Sequence, residues 1–208
     1  VRRAGGRAEA GQVVTKVEGG AHPAVRLATG ERFEADAVVL ATGAYSLQLA
    51  RELGCRLPIQ PGKGYHRDLE FGEGSRPPLE AACVLGETSV FCTPMSGRLR
   101  LAGTLEFSGL NHRMHPSRLA QLTASAEQYL GDIGPARVTS EWCGLRPCTP
   151  DGLPVVGRLP GQTKVFAATG HAMTGLTLGP ITGSLVADLV TGATPPSTEV
   201  TALAPARF

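Results

Sequence analysis

No CxxC pair, no Lys/Arg cluster, no apolar run of membrane-spanning length and no G-x-G-x-x-G occurs in the 208 residues. Each absence removes a class. The five cysteines, at 55, 83, 92, 143 and 148, form neither a redox pair nor an even framework, which suits free thiols in a reducing compartment. Formal net charge is only +2, so a nucleic-acid partner has no electrostatic footprint here. No membrane span and no signal peptide are expected. Without the glycine fingerprint, no acidic residue can be assigned to a ribose about 20 residues further on. His112-x-x-His115 has no carboxylate or Cys close by in the sequence and is a weak metal pair. Internal repeats and low-complexity segments are also missing.

What is present is a globular chain. Apolar residues make up 42%, enough for a core, and 27 Gly and 16 Pro imply many tight turns and close backbone approaches. Residues 12–17 read as a strand, and 24–28 and 31–34 as a hairpin around Thr29-Gly30. Asp36 to Ala44 is a short apolar run ending in small residues, which fits a buried parallel strand. Ser46 is placed to cap a helix that Gly54 stops. The texture changes at Leu57-Pro58. Residues 64–71, 80–85, 89–93 and 98–107 read as short strands of an antiparallel sheet. Residues 116–130 read as a helix, with Leu119, Leu122, Ala126 and Tyr129 at helical spacing. Residues 138–142 are a strand, 164–168 a buried strand, and a helix comes next, to about Val190 with Gly192 as its stop. The tail from Ala193 reads as surface.

Two runs carry the chemistry. Trp142-Cys143-Gly144-Leu145-Arg146-Pro147 leads into Thr149-Pro150-Asp151-Gly152, then Pro154 and Gly157. A guanidinium is a planar fork that binds carboxylates through two hydrogen bonds. The usual fate of an Arg is a surface salt bridge, but this one sits among mostly uncharged residues. The second run is Ala168-Thr169-Gly170-His171-Ala172-Met173-Thr174-Gly175-Leu176-Thr177-Leu178-Gly179-Pro180. A buried strand there ends in small residues just before a helix start, whose unpaired N–H groups and partial positive charge suit an anion. Pro180 is expected in the first turn of that helix, where its missing N–H matters little.

These runs together resemble the C-terminal half of the FAD-dependent D-amino acid oxidase/dehydrogenase and glycine oxidase family. The resemblance implies that Arg146 binds the substrate carboxylate. It implies that Gly170, His171, Met173, Thr174, Gly175, Leu176 and Thr177 hold the flavin ring, with His171 beside the cofactor rather than acting as a base. Ala41, Thr42 and Gly43 resemble the strand end that passes the nucleotide part of FAD, and Val14 the strand whose backbone meets the adenine. Pro61-Gly62-Lys63-Gly64-Tyr65 resembles the family's crossover into the substrate sheet. Tyr65 stands equally open as a substrate contact or as core. Some sarcosine-oxidising relatives attach flavin to a Cys; no such bond is expected here.

The fold class is therefore α/β (α+β), a partial Rossmann-like FAD-binding domain plus an antiparallel or mixed substrate-binding sheet. The expected boundaries are 1–56 with 146–192 for the first, 57–145 for the second, and 193–208 as tail. The expected function is oxidation of an amino acid, a D-amino acid or glycine-like amine, to the imino acid by hydride transfer to flavin. The alternative is a non-catalytic binding or assembly subunit derived from the same family. The missing fingerprint, with a start at Val1, implies a fragment or a subunit that borrows an N-terminal FAD-binding unit. Such a chain alone is expected to bind FAD weakly and to expose an apolar flank. Expected partners are the amino-acid substrate and that unit, and the expected location is cytoplasmic or peripheral to the inner membrane.

Overall fold

The computed structural model describes residues 2–72, 77–131, 133, 136–193 and 198–208. The chain divides into two compact units, Val1–Gln60 with Pro147–Phe208, and Pro61–Arg146. The fold is mixed α/β.

The first unit holds two three-stranded sheets. The strands β1 (Val14–Glu18), β2 (Ala24–Leu27) and β3 (Arg32–Glu34) form an antiparallel meander in that order. The second sheet contains β4 (Val38–Leu40) and two later strands, β10 (Val155–Arg158) and β11 (Val165–Thr169), in the order β10-β11-β4. The β4 and β11 strands run parallel, with Leu40 opposite Ala167, and β10 is antiparallel to β11. Beside them lie α1 (Ser46–Glu52) and α3 (Gly175–Thr191). The core of this unit includes Val17, Leu40, Leu49, Leu57, Ile59, Val155, Leu159 and Val165. The β10 and β11 strands are buried along most of their length and so lack alternation.

Three details depart from the sequence expectations. The β10 strand falls where only a motif had been noted, because the four residues Val155–Arg158 give no usable periodicity. Ser46 is the first helical residue rather than the cap, and its hydroxyl meets that of Thr42 at 2.9 Å. Pro180 is the sixth residue of α3, inside the helix and beyond the first turn. It therefore removes one helical hydrogen bond.

Residues 194–197 of the tail lie outside the described residues. The last residues of the chain are tied down. Leu203 accepts a hydrogen bond from the Val156 amide at 2.9 Å. Arg207 donates to both Asp151 oxygens, at 2.7 and 3.2 Å, and to the Leu153 carbonyl at 2.9 Å. The Arg207 guanidinium, helped by the Leu153 amide, pulls the Asp151 carboxyl down to about 2.

The second unit is built on a five-stranded sheet. Its order is β6 (Cys83–Leu85), β7 (Val90–Met95), β8 (Arg98–Glu106), β5 (Gln60–Glu70), β9 (Arg137–Cys148). The β6/β7, β7/β8 and β8/β5 pairs are antiparallel. One face carries α2 (Pro116–Leu130), whose bounds match the sequence reading because Pro116 opens it and Gly131 stands just past its end. The core includes Tyr65, Leu69, Val90, Leu99, Leu101, Leu119 and Leu122. Asp68 is buried and receives both arms of Arg100 at 2.8 and 2.9 Å, which holds its carboxyl below the usual range. Among the described residues no helix is long and apolar enough to cross a membrane.

Leu101 has no solvent-exposed surface in the centre of this sheet. Leu101→Ala should lower the unfolding free energy by about 2–5 kcal/mol in urea denaturation. A loss below about 1 kcal/mol would show that this layer is not closely packed.

Candidate active site

In the first unit, β4 and β11 end side by side in small residues. Their parallel pairing brings Ala41-Thr42-Gly43 next to Ala168-Thr169-Gly170 at the carboxyl edge of the sheet, the edge where α/β sheets bind ligands. The Thr169 hydroxyl donates to the Gly43 carbonyl at 3.0 Å and fastens the two ends together. The chain then turns sharply. Gly170 has φ +79°, and a Cβ there would sit 2.8 Å from Thr149 Cγ2 and 3.2 Å from the Val155 amide nitrogen. Both the backbone and the packing demand glycine.

The turn delivers the start of α3. Thr174 occupies its cap, with no side-chain capping bond, and its amide and hydroxyl both donate to the His171 carbonyl at 2.8 Å. The first-turn amides, of Gly175, Leu176 and Thr177, are thus left for a ligand or water. Of these three residues Gly175 borders a cleft of about 450 Å³, lined also by Ala41, Gly43, Ala168, His171, Gly179 and Gly183, among others. A Cβ at Gly179 or Gly183 would meet nothing within 4 Å, so these glycines border open space. His171 Nε2 lies 2.9 Å from the Thr182 hydroxyl, and burial pushes its pKa below the ordinary value. The imidazole is therefore neutral near pH 7.

Val14 and Thr42 line a different cleft, of about 870 Å³, with Thr15, Tyr45 and Gln48. Of the predicted cofactor residues, Ala41, Gly43, His171 and Gly175 line the smaller cleft and Val14 and Thr42 the larger. Gly170, Met173, Thr174, Leu176 and Thr177 line neither cleft, and Met173 and Leu176 are largely exposed, at 70% and 95%.

Arg146 belongs to the second unit, where it stands near the end of β9. It is half-buried. Its Nη1 donates to the Thr104 carbonyl at 2.9 Å. A Cβ built on Gly64 would fall 2.5 Å from both Cζ and Nη1, so the guanidinium lies face-on against the Gly64 backbone. Among the described residues Arg146 has no carboxylate partner. Most of its fork remains free to receive one.

Thr104 stands at φ +70°, an outlier for a β-branched residue that costs about 1–3 kcal/mol. The cause is a bulge. Lys63 pairs with Glu106 and Tyr65 with Gly103, so Gly64 faces two residues, Thr104 and Leu105. Beside it lies a buried polar cluster. Lys63, fully buried, donates to Asn111 Oδ1 at 2.7 Å, the Arg113 carbonyl at 2.9 Å and Glu106 Oε1 at 3.3 Å. Tyr65 donates its hydroxyl to Glu106 Oε2 at 2.8 Å. Ser108, Tyr65 and Lys63 together hold the Glu106 carboxyl down to about 2. Tyr65 itself is 2% exposed and part of the core. Lys63 and Gly64 were read from the sequence only as part of the crossover run, and Thr104 and Glu106 not at all. An isolated Gly within a strand pattern was the available signal, since it marks a bulge or a close approach.

The family model described as FAD dependent oxidoreductase (DAO) matches residues 1–189. The chain belongs to this family. It is 38% identical to a D-amino acid dehydrogenase of Cereibacter sphaeroides over 86% of its own length and 41% of that protein. A second D-amino acid dehydrogenase, from Methylobacterium nodulans, is also 38% identical, over 86% of this chain and 42% of that protein. The structure is similar to glycine oxidase from Geobacillus kaustophilus, with a TM-score of 0.82, 28% identity, and coverage of 95% of this chain and 52% of that one. The chain thus spans about two fifths of the length of these curated relatives.

The cleft residues fit the family's cofactor. Their small side chains leave room for a flat ring, and the free helix-start amides suit its negative edge when reduced. None of the five Cys is joined in a disulfide, and Cys143, buried, and Cys148, half-buried, flank Arg146 in the sequence.

Gly170→Ala should displace the α3 start, lowering the melting temperature and FAD content together; unchanged melting would contradict the turn geometry. A proton–nitrogen NMR titration should place the His171 transition below the usual value of about 6.5. Because the folded-state pKa is the lower one, the stabilisation is present above about pH 6.5 and fades as pH falls toward the folded value. A transition at or above about 6.5 would overturn the buried neutral assignment.

Proposed function

We propose that this chain supplies the flavin-ring and carboxylate-binding parts of an FAD-dependent enzyme that oxidises an amino acid to its imino acid. The substrate is a D-amino acid or a glycine-like amine, and the chain corresponds to the C-terminal portion of such an enzyme. The names of the similar dehydrogenases and oxidase support that substrate class. One observation carries the reading: Arg146 is a half-buried cation with one arm on a carbonyl and no carboxylate partner among the described residues.

In this reading the substrate carboxylate pairs with the free part of the Arg146 fork, which fixes the α-carbon in place. FAD, when bound, supplies the two-electron acceptor for the hydride leaving that carbon. The α3 start, residues 170–177, would face the ring, and its amides would favour the reduced, negative state. The reacting amine would be the neutral form, its ammonium proton having gone to solvent before hydride departs, and His171 would stand beside the cofactor without serving as the base. The Thr42 and Val14 cleft would take the nucleotide part. The imino acid then hydrolyses to a keto acid and ammonia. Residues 1–60 with 147–192 serve the cofactor in this scheme, and the sheet of 61–146 serves the substrate. The pyrophosphate site would come from a unit outside this sequence.

The test is steady-state kinetics on D-alanine and on the matching amine without a carboxylate. In protein carrying this chain and FAD, Arg146→Lys should raise KM for the amino acid, because lysine keeps the charge but loses the fork. Arg146→Ala should do more, by roughly one and a half to three and a half decades, since one partner of a buried pair is worth about 2–5 kcal/mol. Flavin content should hold. Equal losses on both substrates, or loss of flavin, would refute the carboxylate role.

A further inference from the structure

Resting on that reading, we infer that Gly64 and the bulged Thr104 are positioning residues that set the guanidinium of Arg146 in the orientation that receives the substrate carboxylate. An unpaired arginine on a strand would ordinarily sample many rotamers, and freezing them on binding is unfavourable. Here two backbone features remove that freedom in advance. The Thr104 carbonyl leaves the β5/β8 ladder and takes Nη1 at 2.9 Å. The bare Gly64 backbone lies against one face of the guanidinium plane. A backbone carbonyl carries no charge, so it orients the cation without competing for it as a carboxylate would.

The bulge needs support, because Thr104 prefers another conformation. Support comes from the residues immediately beyond it. Lys63 and Glu106 are the first pair on one side of the slip, and they are also an ion pair with Glu106 held by Tyr65. Lys63 is further fixed by Asn111 and Arg113. A buried ion pair adds little stability by itself, and fixing a register is its better-attested use. The burial of Tyr65 and Lys63 thus has a functional reading: they hold the strand that aims the carbonyl.

The decisive variant is Gly64→Ala. Its Cβ would collide with Arg146, and the three nearest atoms it meets are all from that guanidinium. In protein carrying this chain with FAD bound, it should raise KM for D-alanine by roughly one to two decades with kcat much less affected, as loss of a pre-set binding group does. In the Arg146→Ala background the same change should add nothing to KM. If Gly64→Ala alone does not fold, Arg146→Ala should restore folding, because it removes what the Cβ strikes.

A Gly64→Ala protein with wild-type KM, an equal KM increase in both backgrounds, or a double variant that still does not fold would each overturn the positioning role. The outcomes separate the two claims. If Arg146→Ala leaves KM unchanged, the carboxylate reading fails. If Arg146→Ala raises KM and Gly64→Ala does not, only the positioning inference fails.

Discussion

Arg146 keeps one arm on a backbone carbonyl and offers the rest of its fork to whatever anion arrives. Most arginines at this burial are matched with Asp or Glu, because an unpaired charge out of water is unfavourable. Within the second unit Glu106, at the bulge, is already engaged by Lys63 and Tyr65, and Asp68, further along β5, by Arg100. The cation's isolation is thus a property of the surrounding network as much as of the residue. The strained Thr104, the bare Gly64 and the buried Lys63 become intelligible together once the orientation of that one guanidinium is the thing being fixed.

The first unit shows the complementary arrangement. There the donors are backbone amides at the start of α3, set by a glycine turn that tolerates no Cβ. The adjoining strand end is fastened by one threonine bond, from Thr169 to Gly43. Small residues keep the cleft open rather than filling it. In both units the groups left for ligands are positive in character, a guanidinium in one and a helix start in the other. That suits an anionic substrate and a cofactor that gains negative charge on reduction.

The sequence made some of this legible and hid the rest for identifiable reasons. The 116–130 helix was readable to the residue because Pro and Gly mark its ends. The parallel strands 38–40 and 165–169 stood out as short apolar runs ending in small residues. Arg146 stood out through its run of uncharged neighbours and its family resemblance. The bulge did not, because a slip of one residue leaves no trace in hydropathy and depends on which strand pairs with which. Lys63 gave no sign of burial, since its acceptors come from Glu106, Asn111 and Arg113, far along the chain. Pro180 was expected in the first turn of its helix, but the turn at Gly170 to Thr174 uses fewer residues than expected, so the helix begins at Gly175, before Pro180 by more than a turn. The β10 strand is defined by pairing to β11, not by its own four residues.

The most direct measurement is a crystal structure of protein carrying this chain, with FAD and an unreactive carboxylate such as benzoate. Both carboxylate oxygens should lie within hydrogen-bonding distance of Arg146, with Nη1 still on the Thr104 carbonyl and Thr104 still at positive φ. A carboxylate bound elsewhere, with Arg146 paired to a protein Asp or Glu, would contradict the role given to this guanidinium.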